Sequence, residues 1–133
     1  MTDTATRLSL SRADRLVRSH AYAAVFSFRC WVTGKWFQVY AKPNGAPAAR
    51  LGIVVSKRII PQAVARNYCK RLAREAFRAD RAALAGVDLV VRPRTAVTRA
   101  ASAAARGEIR ELLRSVQRRC RSRGNATPNN LTQ

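Results

Sequence analysis

Acidic residues are what this chain has least of relative to their opposites. Seven Asp and Glu stand against 26 Lys and Arg, a formal net charge of +19. A two-metal nuclease needs several carboxylates converging on ions about 4 Å apart. Here Asp3, Asp14, Glu75, Asp80, Asp88, Glu108 and Glu111 are scattered along the chain. Histidine is almost absent as well. His20 is the only one; it has no evident acidic partner, and its expected place is partly buried rather than that of a general base. No Ser or Cys nucleophile arrangement can be read, so no catalytic residue and no metal ligand is assigned. Cys30, Cys69 and Cys120 are odd in number and far apart, without a Cys-x-x-Cys pair. That pattern excludes a zinc site and a disulfide framework and fits reduced thiols, with Cys69 as a small core residue. No apolar run approaches the ~18 residues that span a bilayer. Residues 1–7 lack the charged start and apolar block of a secretory signal. A soluble cytoplasmic protein with no membrane partner and no small-molecule substrate is the expectation.

What the chain does have is positive charge on an ordinary globular composition. Its 133 residues, 47% hydrophobic, suit one domain with a real core. A pI near 11.8 repels itself and attracts polyanions. Nucleic acid is the first candidate partner and an anionic membrane surface the second. Residues 1–12 read as a basic N-terminal arm, 13–121 as one α/β domain, and 122–133, with Gly124, Asn125 and Pro128, as a disordered tail.

Periodicity supplies the elements. A short helix from Leu16 to about Phe28 puts Tyr22 and Phe26 on one face, with Ser19 as a candidate cap. Alternation predicts a strand over Trp36–Lys42, with Phe37, Val39 and Ala41 inward and Gln38, Tyr40 and Lys42 on an open face. Pro43-Asn44-Gly45-Ala46-Pro47 is a turn signal. A second strand follows over Arg50–Lys57, with Leu51, Ile53 and Val55 facing one way. The short connection predicts an antiparallel pair. Gly52 is expected to leave room on the open face for a planar ligand or backbone. Val87–Arg92 is a nearly continuous apolar strand, and strand, helix, strand predicts a parallel crossover. A last helix over about Thr98–Arg121 turns Ile109, Leu112, Leu113 and Val116 inward. With a further strand near Phe28–Val32, the fold class is α+β: a two-layer α/β sandwich with a small mixed sheet and flanking helices.

The middle helix organises the rest. It is expected to run from Pro61, in its first turn, to about Leu84, with Gly86 as the stop. At ~100° per residue, Arg66, Asn67, Lys70, Arg71, Arg74 and Arg78 fall within an arc of roughly 140°. Ala65, Cys69, Leu72, Ala76 and Ala79 fill the opposite arc, with Tyr68 at its edge. One face packs while the other presents cations and an amide to a partner. Glu75 and Asp80 are too few to neutralise that face.

The stretch Ala63–Arg78 closely resembles the signature of the protein subunit of bacterial ribonuclease P. Val55-Ser56-Lys57-Arg58 resembles that family's strand end before the helix, and Asp88–Pro93 its last strand. Tyr22 and Phe26 match two N-terminal aromatics, and Tyr40 an aromatic in the following strand. The likeness covers about residues 12–121. It implies an α/β sandwich with a left-handed β-α-β crossover, whereas pattern alone favours the right-handed form. It implies that the catalyst is a large RNA, using Mg2+ held mainly by that RNA, which removes the 5′ leader from precursor tRNA. The partners are then the catalytic RNA, bound by Lys57, Arg58, Arg66, Asn67, Lys70, Arg71 and Arg74, and the leader, bound by Tyr22, Phe26, Tyr40 and Ser56. Two departures stand out. Tyr68 replaces the second Arg of the family's usual Arg-Asn-Arg, and Pro61-Gln62 stands where Gly-Asn is more usual.

The residues suit that role on their own chemistry. Arg pairs with phosphate through two parallel hydrogen bonds and Lys as a point charge. Asn67 both donates and accepts, so it can read a sugar or base edge or orient a hydrated ion. Aromatic rings stack on unpaired bases of any kind. A small ribosomal protein or RNA chaperone is the alternative that shares the charge and layout. A DNA-binding module is weaker, because no helix-turn-helix pattern precedes the basic helix.

Overall fold

The computed structural model describes residues 15–16 and 19–125, so the expected arm 1–12 lies outside the described residues. The elements are α1 (Ser19–Phe28), β1 (Trp31–Thr33), β2 (Phe37–Pro43), β3 (Arg50–Ile53), α2 (Ala63–Ala79), β4 (Val87–Pro93) and α3 (Ser102–Asn125). Ser19 is the first helical residue of α1 rather than a cap outside it. The α+β sandwich expected from the periodicity is present, with one mixed four-stranded sheet.

The strand order β1-β2-β4-β3 corrects one expectation. β2 and β3 do not pair; β4 lies between them, antiparallel to β2 and parallel to β3. Burial explains the choice. Val87, Asp88, Leu89, Val90 and Val91 are all buried, so β4 needs cover on both faces and takes a central place. The β2–β3 connection is wide enough to admit it because it folds around Asn44. The Asn44 side chain donates to Ala48 O (2.9 Å) and accepts from Ala46 N (2.8 Å), while Gly45 turns with φ 67°.

The main core lies between the sheet and the α2/α3 pair. Phe37, Val39, Leu51, Leu89 and Val91 meet Cys69, Leu72, Phe77, Ile109, Leu113 and Val116 there. Side chains alternate along a strand, so Tyr40 and Val90 point to the other face. α1 covers that face through Leu16, Val25 and Val90, with Tyr22, Phe26 and Tyr40 packed alongside. His20, on α1, is exposed rather than partly buried, because α1 turns Val25 inward and leaves its first turn in solvent.

α2 is rotated relative to the predicted arc. It buries Cys69, Leu72, Ala73, Ala76 and Phe77 and leaves Ala79 exposed, because Phe77 is its largest apolar side chain and is fully enclosed. α2 also stops at Ala79 rather than Leu84. Asp80 leaves the helix to accept hydrogen bonds from Arg110 (3.1 and 3.2 Å) and Arg114 (2.9 Å) of α3, and Arg81–Leu84 continues as a 3-10 turn. α3 in turn runs past Arg121 to Asn125, into the segment expected as tail, since the first break signals there are Gly124 and Asn125. β3 is shorter than expected, ending at Ile53, although Val54 N still donates to Val91 O at 3.0 Å.

The few acids act as fasteners. Asp88, buried, takes two hydrogen bonds from Arg50 (2.7 and 2.9 Å) and one from Asn44 (3.0 Å). The Glu108 carboxylate of α3 accepts from three successive backbone amides of the β1–β2 turn, Lys35, Trp36 and Phe37, at 2.8, 2.8 and 3.0 Å. Any side chain at Gly34 would collide with that carboxylate.

Candidate nucleic-acid interface

The crossover between β3 and α2 is built by short local bonds. Ser56 Oγ accepts from Arg58 N (3.1 Å) and Ile59 N (3.4 Å), and Ser56 O accepts from Ile60 N (2.9 Å). A tight turn results. Its tip displays Lys57 and Arg58 to solvent, and Ile60 anchors it in the core. Gln62 caps α2 with extended backbone but no side-chain bond. Arg66 fastens this helix entrance by donating from Nη1 to Ile60 O (3.0 Å) and Pro61 O (2.7 Å). Arg66 is therefore partly committed to the fold, which its place on the predicted polar arc did not reveal.

Beyond Arg66, the four-residue rhythm of α2 sets Lys70, Arg74 and Arg78 half-buried along one flank, with Asn67 and Arg71 fully outward. Burial, together with the charges of Arg78 and Arg15, pulls the Arg74 guanidinium below its ordinary value. A cation so placed gains from an anion brought to it.

That flank of α2 opens onto the edge strand β3. Tyr22, Gly52, Ile53, Lys70, Arg74 and Arg15 help to line a cleft of about 300 Å³. Gly52 does leave space, but the chain fills it itself. A Cβ at Gly52 would lie 2.5–2.7 Å from the Tyr22 ring, so the tyrosine occupies the site expected for a ligand.

From Gly52 the strand register carries a row across the whole sheet. Gly52 pairs with Val90, Val90 with Tyr40, and Tyr40 with Trp31. Phe26 meets Tyr40 edge-on, with centroids 4.7 Å apart and planes at 83°. Arg92 lies 5.8 Å over the Phe26 ring. The structure thus brings Tyr22, Phe26 and Tyr40 together on the outer face and joins them to Lys70 and Arg74 through the cleft. Ser56 is not in this group; it belongs to the crossover turn with Lys57 and Arg58. Sequence reading missed Trp31 and Arg92. Their signal was the alternation of β1 and β4, which puts both on the face of Tyr40 and Gln38.

The family model described as Ribonuclease P matches residues 10–117. The chain belongs to the ribonuclease P protein family. The ribonuclease P protein component of Chromobacterium violaceum is 44% identical over 111 residues, covering 84% of this chain and 91% of that one. The Burkholderia mallei component is 43% identical over 126 residues, covering 88% and 92%. Among solved structures, the RNase P protein of Staphylococcus aureus matches with a TM-score of 0.61 at 27% identity, covering 80% of this chain and 94% of that one. The Thermotoga maritima RNase P protein matches at 0.59 and 29%, covering 79% and 96%.

Within this ribonuclease P protein, Tyr68 shows what replaces the usual arginine. Its hydroxyl hydrogen-bonds Ser102 Oγ at the start of α3, and its ring packs against the core. Position 68 therefore ties α2 to α3. Four of the described acids are engaged. Asp80 and Asp88 hold arginines, Glu108 holds the turn, and Glu75 lies 3.7 Å from Arg106. Among the described residues, no three of His, Cys, Asp and Glu come together where they could hold a metal ion, and no helix is long and apolar enough to cross a membrane.

Proposed function

We propose that the protein binds the catalytic RNA of ribonuclease P along α2 and the crossover turn, and holds the 5′ leader of precursor tRNA across the outer sheet face. The observation that carries this reading is the cleft in which Tyr22 and Gly52 meet Lys70 and Arg74, so that stacking surface and phosphate-binding cations open onto one space. Lys57, Arg58, Arg66, Asn67, Lys70, Arg71 and Arg74 form the catalytic-RNA side. Neutralising closely spaced phosphates there releases counterions and drives binding. Tyr22, Phe26 and Tyr40 form the leader side. Stacking is tolerant of base identity, which suits leaders of differing sequence. Ser56 Oγ already accepts two amides, and its own proton remains to donate to a phosphate.

The RNA is the catalyst in this reading, with Mg2+ held mainly by it. Asp80, Asp88 and Glu108 do not fit a protein-held Mg2+, because each is engaged by arginines or backbone amides. The protein's contribution is electrostatic and geometric. It offsets repulsion between two RNAs and positions the substrate, in the cytoplasm. Reconstitution tests this: rigorously RNA-free protein leaves precursor tRNA intact, and adding the cognate catalytic RNA gives cleavage at low Mg2+, where RNA–RNA repulsion is least screened. Robust cleavage by the protein alone overturns the reading.

A further inference from the structure

Trp31 is left unused by the interface just described, and its setting is unusual. Among the described residues it is the only aromatic side chain in the exposed class, at 38%. Edge position alone does not account for so wet an indole, since large aromatic side chains are highly buried on average. Its backbone is nevertheless held firmly. Arg29 leaves α1 with φ 62° and turns the chain toward the sheet. Cys30 is buried and its carbonyl accepts from Ala41 N at 2.9 Å. Arg119 of α3 donates to Trp31 O at 3.0 Å. A partly exposed ring on a fixed backbone is a preorganised contact surface.

Trp31 also completes a line. It is the last member of the cross-strand row Gly52–Val90–Tyr40–Trp31. Three inter-strand steps make that row about 14 Å long. α1 covers the Gly52 end with Tyr22 and the Tyr40 position with Phe26, then ends at Phe28. The indole therefore stands past the end of α1, 5.7 Å from the Tyr40 ring and tilted 39° to it. The next row along the strands, Thr33–Gln38–Arg92, is polar, and its Arg92 is exposed. Trp31 and Arg92 thus share one sheet face, an aromatic surface for a base and a cation for phosphate.

We propose that Trp31 is a stacking platform for an unpaired nucleotide of the 5′ leader, beyond the nucleotides held by Tyr22, Phe26 and Tyr40. The inference rests on the leader reading given above. It also sets a direction. The α2 cations lie at the Gly52 end of the row, so leader nucleotides nearest the cleavage junction sit there and those farther toward the 5′ end reach Trp31. The row is long enough for about four stacked nucleotides at ~3.4 Å each.

The test is a series of precursor tRNAs whose leaders are shortened one nucleotide at a time from the 5′ end, bound to reconstituted holoenzyme. The proteins are wild type, Trp31→Ala, Trp31→Phe and Tyr40→Ala, each with a melting curve. With long leaders Trp31→Ala weakens binding about 5- to 10-fold, the low end of the stacking range, and Trp31→Phe keeps most of the affinity. Below a threshold length the Trp31→Ala loss vanishes, while the Tyr40→Ala loss persists to shorter leaders. If Tyr40→Ala shows its leader-dependent loss and Trp31→Ala shows none, or one independent of length, Trp31 only braces β1 and this inference falls alone. If neither variant depends on the leader, the leader reading falls with it. Should Trp31→Ala fail to fold, the Trp36→Phe protein, with Trp31 as its remaining indole, serves instead. Its fluorescence changes on binding long-leader but not short-leader precursor, and an equal change with both overturns the proposal.

Discussion

Replacing Gly52 with alanine probes the outer sheet face from beneath. The new Cβ would lie 2.5 Å from Tyr22 Cε1 and 2.7 Å from both its Cζ and its hydroxyl oxygen. Ordinary carbon contact begins near 3.5 Å, so the ring or the strand must give by about 1 Å. No left-handed φ demands glycine here; space alone does. Overpacking of this kind costs about 1–3 kcal/mol. Restricting the unfolded chain returns about 0.4–1 kcal/mol, which leaves a net loss of roughly 1–2 kcal/mol. In a Tyr22→Ala background the clash disappears and the favourable part remains, so Gly52→Ala stabilises by about 0.4–1 kcal/mol. The sign of one substitution thus depends on the other, with a coupling of about 2 kcal/mol. Urea unfolding of the four proteins measures it. In parallel, if Tyr22 contacts the leader as proposed, Gly52→Ala holoenzyme should bind precursor tRNA more weakly and mature tRNA normally. Additivity within about 0.5 kcal/mol would refute the claim that Tyr22 fills the space over Gly52.

Four further outcomes follow from the same structure. Arg71→Ala should lower affinity for the catalytic RNA and flatten the log–log salt slope by up to about one unit without changing the melting temperature. Arg66→Ala should also cost about 1 kcal/mol of stability, since it releases the Ile60 and Pro61 carbonyls. Glu108→Ala strips three turn amides of their acceptor and should destabilise by about 2–4 kcal/mol, Glu108→Gln by less, read by chemical denaturation. Hydrogen bonds from Arg110 and Arg114 lower the Asp80 pKa from an ordinary 3.8, so its contribution is present above that pH and is lost as pH falls through the lowered folded value. The stability difference between wild type and Asp80→Asn should therefore be constant near neutrality and shrink below about pH 4; a difference that grows on acidification would reverse the assignment.

The elements were legible where period and composition agreed. Phe37, Val39 and Ala41 alternate with Gln38, Tyr40 and Lys42, and β2 buries the first set as expected. The α2 cations were equally plain. Sheet order was less legible, because the short β2–β3 connection favours pairing while the buried run Val87–Val91 carries the contrary signal. A strand apolar on both faces needs neighbours and cover on both sides. The rotation of α2 follows from Phe77, which the count of the two arcs leaves out and whose burial releases far more apolar surface than that of Ala65 or Ala79. The double duty of Arg66 and the bond from Tyr68 to Ser102 depend on contacts with the crossover loop and with α3. Periodicity within one helix does not report these.

Charge is distributed by this fold rather than merely accumulated. α2 has no acid in its first turn, and Asp80, Asp88 and Glu108 are turned toward structural arginines or a turn. Asp80 holds the end of α2 to α3, Asp88 holds β3 beside β4, and Glu108 holds the β1–β2 turn to α3. Each of these three acids is thereby committed to fixing the elements that carry the cations of the cleft. The same arrangement fixes the aromatic row. Glu108 sets the turn from which β2 presents Tyr40, and Arg119 sets the backbone of Trp31. α3 lies against the opposite face of the sheet from α1, yet it governs where the rings of the outer face stand. A stacking surface of the kind proposed needs rings held still at low entropic cost, and for Tyr40 and Trp31 part of that rigidity comes from a helix on the other side of the sheet.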